Sequence, residues 1–421
     1  MKRLLIHSFV FWPDGVSTAY LYTDIAKAFL DAGWDVTVLT TTPHFNPPAV
    51  ASGESAADFA ADGRLRIRRV PMRRFSHLWA RVLAFAWWHL ASFFIALFSR
   101  RPDVILSPSP PPSVGLLNVW LGWFKRCKVV YNVQEIYPDI IKNLHGLPLR
   151  VLRWMERSIY DGSDAVVTID QVFRDTIAPR FKDPSHLHII PNFVDTEFYR
   201  PLDGGVDGGL REGGSDGRQD RLHLLYAGNI GWAQDWDMLI ALAERTRDLA
   251  IEYQVIGDGL RKQYLLDEIA SRGLRNICVF PYQPRERMPE LLAACDICFI
   301  FMDPQMDRQG FPSKVYSIMA CGKPLLVSSG EGTPIVNFLR DKGCARLETD
   351  PDVAVRLDGM AAWLESLSQT EQGLNASACP SGICQESLSR MGEGGRAIIE
   401  AEYSRERVTA QYVKLMEDLT R

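Results

Sequence analysis

The stretch "FPSKVYSIMACGKP", residues 311–324, holds a lysine in an awkward place. Pro312 and Ser313 open a helix, and Lys314 falls in its first turn. The dipole and the free N–H groups of a helix start favour an anion, so an ammonium there is mildly unfavourable unless an anion meets it. Dipole, N–H groups and ammonium together make a phosphate site. The plainer reading is a solvated lysine on a capped helix. Two strand-to-helix turns offer similar donors. In "FWPDGVSTAY", residues 11–20, Gly15 lets a ligand approach the backbone, and Ser17 or Thr18 can cap the next helix. In "YAGNIGWAQDWD", residues 226–237, Gly228 and Gly231 bracket Asn229. An ordinary βα turn is the plainer reading of the first, and the same anion-site logic applies to the second. "VIGDGL", residues 255–260, is a lone G-x-G around Gly257. None of these is G-x-G-x-x-G, so a nicotinamide-binding fingerprint is not supported.

Two other patterns invite a metal or redox reading. Asp235 and Asp237 resemble a ligand pair, but aspartates at a helix start are mostly caps. Cys295 and Cys298 form a C-x-x-C that runs into an apolar strand, with no second Cys/His pair nearby. Residues three apart on a strand point to opposite faces, so buried structural thiols are expected.

The elements around these residues follow a clear alternation. Length 421 suggests two or three domains, and the 47% hydrophobic and 23% charged composition fits a soluble globular enzyme. A net charge of −4 provides no global basic field for nucleic acid, and eight Cys do not make a disulfide scaffold. The start "MKRLLIHSFVFWPDG" has a signal-like charge and apolar run, but the run is short and lacks a small-residue cleavage site. It reads as a first strand of a chain kept in a reducing cytoplasm. "RLLIHSFV", "DVTVLT", "LRIRRV", "DVILS", "KVVYNV" and "AVVT" are strand-like, with helical spacing between most of them. In one such helix Tyr20, Ile25, Ala28 and Phe29 recur on a face and Gly33 ends it. Strands alternating with helices imply parallel sheets covered on both sides. Residues 202–220, rich in Gly, Asp and Arg, read as a linker. The alternation then restarts with "LHLLYAG", "IEYQVIG", "NICVF", "CDICFIF" and "PLLVSS". A second polar region, 366–395, is expected to interrupt the last helices, and the chain closes on a capped amphipathic helix. The expected divisions are 1–200, a linker at 201–221, 222–404, and a terminal helix at 405–421.

Residues 78–98, "LWARVLAFAWWHLASFFIALF", are long enough to span a bilayer. A span would place "DVILS" across the membrane from "DVTVLT" and split one sheet. Arg64, Arg66, Arg68, Arg69, Arg73 and Arg74 before it, with Arg100 and Arg101 after it, give no charge asymmetry. The expectation is an interfacial helix, one face on the sheet and the other on an anionic membrane surface; a buried core helix is the alternative. Trp120, Trp123, Phe124, Lys125 and Arg126 form a second, weaker contact of this kind.

The ordered set "WPDG", "HIIPNFVDTEFYRP", "YAGNIG", "VIGDG" and "FPSKVYSIMACGKPLL" resembles the retaining GT-B-fold glycosyltransferases of family 4 over essentially the whole chain. The nearest subgroup is bacterial and adds fucose-type or N-acetylated amino sugars in colanic acid, capsule and O-antigen synthesis. The resemblance implies two Rossmann-like domains facing a cleft, with the C-terminal helix returning to the N-terminal domain. It implies a nucleotide-sugar donor, expected to be UDP-linked, on the C-terminal half and a polyprenyl-diphosphate-linked acceptor on the N-terminal half. No metal or other cofactor is expected to be required. The family's diphosphate-binding Arg and Lys fall here on Asn229 and Gln234, and its two carboxylates on Gln309 and Ser317. Lys314 is expected to replace the missing charge. Gln134 and Glu135, in "NVQEIYPD", are placed where acceptor hydroxyl or donor sugar is oriented. The implied catalytic set is Gln134, Glu135 and Lys314. The implied donor-binding set is Gly15, Gly228, Asn229, Gln234, Gly257, Ser313, Lys314, Tyr316 and Ser317. With the interfacial helix at 78–98, the expected location is the inner face of the cytoplasmic membrane. A hydrolysing sugar-nucleotide 2-epimerase of the same fold, or a non-catalytic nucleotide-sugar binder, are the alternatives.

Overall fold

The computed structural model describes residues 1–43, 63–72, 77–109, 111–141, 144–202, 221–305, 310–371 and 385–421. Expectations for Gln309, Arg73, Arg74 and most of the glycine-rich linker fall outside these residues. The chain divides into two compact units: Met1–Phe193 with Arg405–Arg421, and Val194–Ser404.

The described strands of the first unit are β1 (Arg3–His7), β2 (Asp35–Thr41), β3 (Leu65–Val70), β4 (Val104–Pro108), β5 (Lys128–Val133), β6 (Ala165–Thr168) and β7 (Leu187–Ile189). They form one sheet in the order β3-β2-β1-β4-β5-β6-β7, parallel throughout. Its helices are α1 (Ser17–Asp31), α2 (Leu78–Phe98), α3 (Pro112–Lys125), α4 (Gly146–Gly162) and α5 (Gln171–Ile177). Strand order reverses at β1, so right-handed crossovers put α1 on one face and α2, α3 and α4 on the other. The cores agree. Tyr22, Ile25 and Phe29 of α1 pack over Leu4, Ile6, Val36 and Val38, while Trp88 of α2 and Val114 and Leu121 of α3 pack over Leu5, Leu39 and Ile105.

The second unit has β8 (Leu222–Ala227), β9 (Ile251–Ile256), β10 (Ile277–Phe280), β11 (Ile297–Phe301), β12 (Leu325–Ser328) and β13 (Ala345–Glu348), again parallel, in the order β10-β9-β8-β11-β12-β13. Around them lie α6 (Trp236–Arg245), α7 (Lys262–Arg272), α8 (Met288–Ala293), α9 (Lys314–Ala320), α10 (Pro334–Leu339), α11 (Val353–Glu371) and α12 (Gln385–Glu402). The last helix, α13 (Arg405–Leu419), belongs to the first unit. Its Val408, Tyr412 and Met416 join the α1-side core, and Asn132 of β5 donates to the Tyr412 hydroxyl at 3.0 Å.

Three local expectations are corrected. Neither Ser17 nor Thr18 caps α1: Val16 holds the cap position without a side-chain bond, and Ser17 is already helical. Cys295 lies before β11 rather than on it, so the alternation argument does not apply; its Sγ sits 3.6 Å from that of Cys298, both buried. The polar stretch around 366–395 is helical at both ends, through Glu371 and again from Gln385.

Candidate functional site

The turn after β8 carries the chemistry of the second unit. Strand order reverses between β8 and β11, and open α/β sheets bind ligands outside the carboxyl ends at such a reversal. Gly228 follows β8 with φ +151°. Gly257 follows β9 with φ +154°, and a Cβ there would lie 1.9 Å from the Gly228 carbonyl oxygen. Glycine at 257 therefore lets the two turns zip together, with Gly228 N–H donating to Ile256 O and Ile230 N–H to Asp258 O.

Lys314 reaches this turn from the start of α9. Its Nζ is 3.6 Å from the centre of the Tyr226 ring, and a Cβ on Gly228 would come within 2.5 Å of it. The Tyr226 hydroxyl donates to Asn229 O at 2.7 Å, which fixes the ring. The residue as a whole is half-buried, but its ammonium end is enclosed, and desolvation lowers its pKa from 10.5 to about 7. Among the described residues no carboxylate pairs with it. Buried cations are ordinarily paired. Lys323, the other lysine of the motif, shows the contrast: its ammonium donates to Ala293 O, at the end of α8, and to Cys295 O, just beyond it.

The remaining expected donor contacts separate into two groups. Gly228, Asn229 and Gly257 gather around the Lys314 end. Gln234 pairs through its backbone with Met302 at the end of β11, and its buried Oε1 has no hydrogen-bond partner among the described residues. Ser313 precedes α9 but makes no side-chain cap, and Ser317 spends its hydroxyl on Lys314 O. The Tyr316 ring is buried among Phe311, Phe338 and Tyr403, each within 5.4 Å, so it serves the core rather than the turn. Asp235 is a helix cap, accepting from Met238 N–H at 2.9 Å, which accounts for it without a metal. Arg261 was not anticipated: it follows "VIGDG" and stacks between Trp232 (4.7 Å) and Tyr264 (3.6 Å), beside the same turn. A cation one turn past a G-x-G was the available signal.

In the first unit, Gln134 and Glu135 leave the carboxyl end of β5 on backbone N–H groups that both donate to Ser109 Oγ, at 3.0 and 3.2 Å. Gln134 Nε2 donates to Asn132 Oδ1 at 3.1 Å. Burial raises the Glu135 pKa, offset in part by a hydrogen bond from Tyr137. Downstream, Arg153 and Arg180 each bridge Asp139 and Glu156, a closed quartet that braces the loop after Glu135. Gly15 lies in the turn after β1, which Arg69 steadies by donating to Trp12 O at 2.6 Å.

Helix α2 packs on the sheet through Trp88, Ser92 and Ala96 and leaves its other side bare. Trp79, Leu83, Trp87, Leu90, Phe94 and Phe98 form one exposed stripe at helical spacing, and Trp123, 75% exposed, continues it on α3. A core helix is thereby corrected: only 17% of its most apolar window is buried, at a mean hydropathy of 1.6. Both flanking strands, β3 and β4, lie in the same sheet.

Comparison with known proteins gives two family matches in tandem: a glycosyl transferase 4-like domain over residues 18–192 and glycosyl transferases group 1 over residues 215–368. The chain is 24% identical over 371 residues to the putative colanic acid biosynthesis glycosyl transferase WcaI of Escherichia coli, covering 84% of this chain and 88% of that protein. It is 24% identical over 318 residues to the probable glycosyltransferase WbjE of Pseudomonas aeruginosa, covering 73% and 72%. Among solved structures, Anabaena Alr3699/HepE with UDP and glucose superposes with a TM-score of 0.67 at 13% identity, over 99% of this chain and 100% of that one. WaaG, a glycosyltransferase of lipopolysaccharide biosynthesis, gives 0.65 at 13% identity, over 98% and 99%. These likenesses support the two-domain parallel-sheet fold expected from the sequence.

Proposed function

The chain belongs to the GT-B-fold glycosyltransferases of family 4, and on that premise we propose that it transfers a sugar, with retention, from a UDP-linked donor to a polyprenyl-diphosphate-linked saccharide in cell-surface polysaccharide synthesis. The single observation that carries this reading is Lys314, an enclosed ammonium with no acidic partner among the described residues at the mouth of β8. In the reaction the acceptor hydroxyl forms a bond to the anomeric carbon as the bond from that carbon to the diphosphate oxygen breaks. Negative charge grows on the leaving diphosphate, and Lys314 with the Gly228 turn would stabilise it. The acceptor proton passes to a phosphate oxygen of the leaving group. No step assigned here uses a metal. Gln134 and Glu135 would orient the acceptor hydroxyl or the donor sugar. The sugar is a fucose-type or N-acetylated amino sugar in our reading, in keeping with the colanic acid relative.

The bare stripe on α2 supports a peripheral position on the inner face of the cytoplasmic membrane, where an acceptor with a lipid tail is found. A hydrolysing epimerase acting on soluble substrate would have no use for that stripe. The test is a screen of nucleotide sugars with purified protein and a synthetic polyprenyl-diphosphate sugar. Acceptor-dependent release of UDP is expected; release of free sugar without acceptor would favour the epimerase, and nucleotide binding without turnover would favour a non-catalytic role.

A further inference from the structure

The first unit carries a second cationic site, far along its strands from Gln134 and Glu135. A pocket at the amino-terminal edge of the sheet is lined by Arg3 of β1, Asp35 and Thr37 of β2, Arg66 and Arg68 of β3, and Arg100, just after α2. The register explains the gathering. Arg3 lies beside Asp35, Thr37 beside Arg66, and Leu39 beside Arg68, and neighbouring strands run about 4.8 Å apart. Arg66 and Arg68 are two residues apart and so share a face. Val70, on that same face, packs in the core under Trp88, which makes it the α2 face. Among the described residues, none of the four guanidiniums of Arg3, Arg66, Arg68 and Arg100 makes a side-chain hydrogen bond or ion pair, and Asp35 pairs with none of them. Arg64, a fifth arginine lining the pocket, differs in donating to Leu30 O at 2.7 Å. Unneutralised guanidinium forks converging on a concavity match the oxygens of a phosphate group.

We propose that this arginine pocket binds the phosphate of an anionic phospholipid headgroup. The phosphate chemistry stands on the arginines alone. The choice of a lipid as its source rests on the membrane reading given above, and on continuity. Arg100 follows Phe98, which is 82% exposed and ends the apolar stripe of α2. Acyl chains against Phe94 and Phe98 and a phosphate in the pocket would therefore be one ligand; free phosphate would use the arginines only.

The test uses the full chain and vesicles of phosphatidylcholine with or without phosphatidylglycerol, scored by flotation, with inorganic phosphate and glycerol 3-phosphate titrated separately by calorimetry. Arg66→Ala/Arg68→Ala removes pocket charge from exposed positions, and Arg157→Ala/Arg407→Ala removes equal charge from exposed positions outside both the pocket and α2. The pocket pair should lose about tenfold more affinity for phosphatidylglycerol vesicles than the control pair, the scale of one charge-assisted contact. Equal losses in the two pairs overturn the pocket while leaving the membrane reading intact. If the wild type floats with neither vesicle, the membrane reading fails and the lipid source with it. Phosphate binding abolished only in the pocket pair would then assign the arginines to a soluble ligand, and no phosphate binding would overturn the site altogether.

Discussion

Replacing Lys314 by Met should uncouple nucleotide binding from pH. Enclosure brings the ammonium's pKa from 10.5 to about 7 in the free protein. It is then charged in roughly nine molecules in ten at pH 6 and in about one in eleven at pH 8. A diphosphate seated against it favours the charged form and restores the proton. If only the charged form binds well, affinity for UDP should fall by about tenfold between pH 6 and pH 8. At pH 8 close to one proton should be taken up per UDP bound, read by calorimetry in buffers of different ionisation enthalpy. Lys314→Met should weaken binding at pH 6 by about 10- to 100-fold, the 1.5–3 kcal/mol scale of a hydrogen bond to a charged group, and should abolish the excess proton uptake. Lys314→Arg, which cannot titrate, should flatten the pH profile while keeping the charge. Unchanged UDP affinity in Lys314→Met, or wild-type affinity independent of pH from 6 to 9, would refute the assignment.

Three further outcomes follow from the geometry. Gly257→Ala puts a methyl 1.9 Å from the Gly228 carbonyl at a φ of +154°, so the Gly228 turn must move; nucleotide affinity should drop and thermal unfolding should shift down by a few degrees, for strain of about 1–3 kcal/mol. His7 is fully buried, with Nδ1–H donating to Asn118 Oδ1 at 2.7 Å, and desolvation lowers its pKa from 6.5 to about 4. The unfolded chain therefore binds a proton that the folded one refuses, so stability is full above pH 6.5 and declines toward pH 4, by up to about 3 kcal/mol; in His7→Asn urea titrations this decline should shrink. Arg180→Met leaves the 5%-exposed Glu156 with Arg153 as its one ion-pair partner among the described residues, and should destabilise the first unit by about 3 kcal/mol in thermal unfolding.

Much of the fold was legible because strand and helix periods differ, and parallel strands leave short apolar runs between amphipathic helices. The exposed face of α2 was legible for the same reason: its aromatics exceed what one buried stripe can use. Lys314 could be singled out because a cation at a helix start contradicts the local electrostatics. What stayed hidden depends on strand order and register. Arg3, Arg66, Arg68 and Arg100 span almost a hundred residues and meet because β1, β2 and β3 are neighbours. The quartet of Asp139, Arg153, Glu156 and Arg180 is equally invisible to spacing. Tyr316 was misplaced for a simpler reason. It lies two residues after Lys314 on a 7-residue helix, and at about 100° per residue that turns it to the opposite side, into the core.

The most direct measurement of the central claim is nuclear magnetic resonance of the product formed from a UDP-sugar and a synthetic polyprenyl-diphosphate sugar. The expected product is a glycolipid one sugar longer, bearing the same anomeric configuration as the donor, made by the wild type and much more slowly by Lys314→Met. A lengthened product with inverted configuration, or free sugar in place of any lengthened lipid, would contradict it.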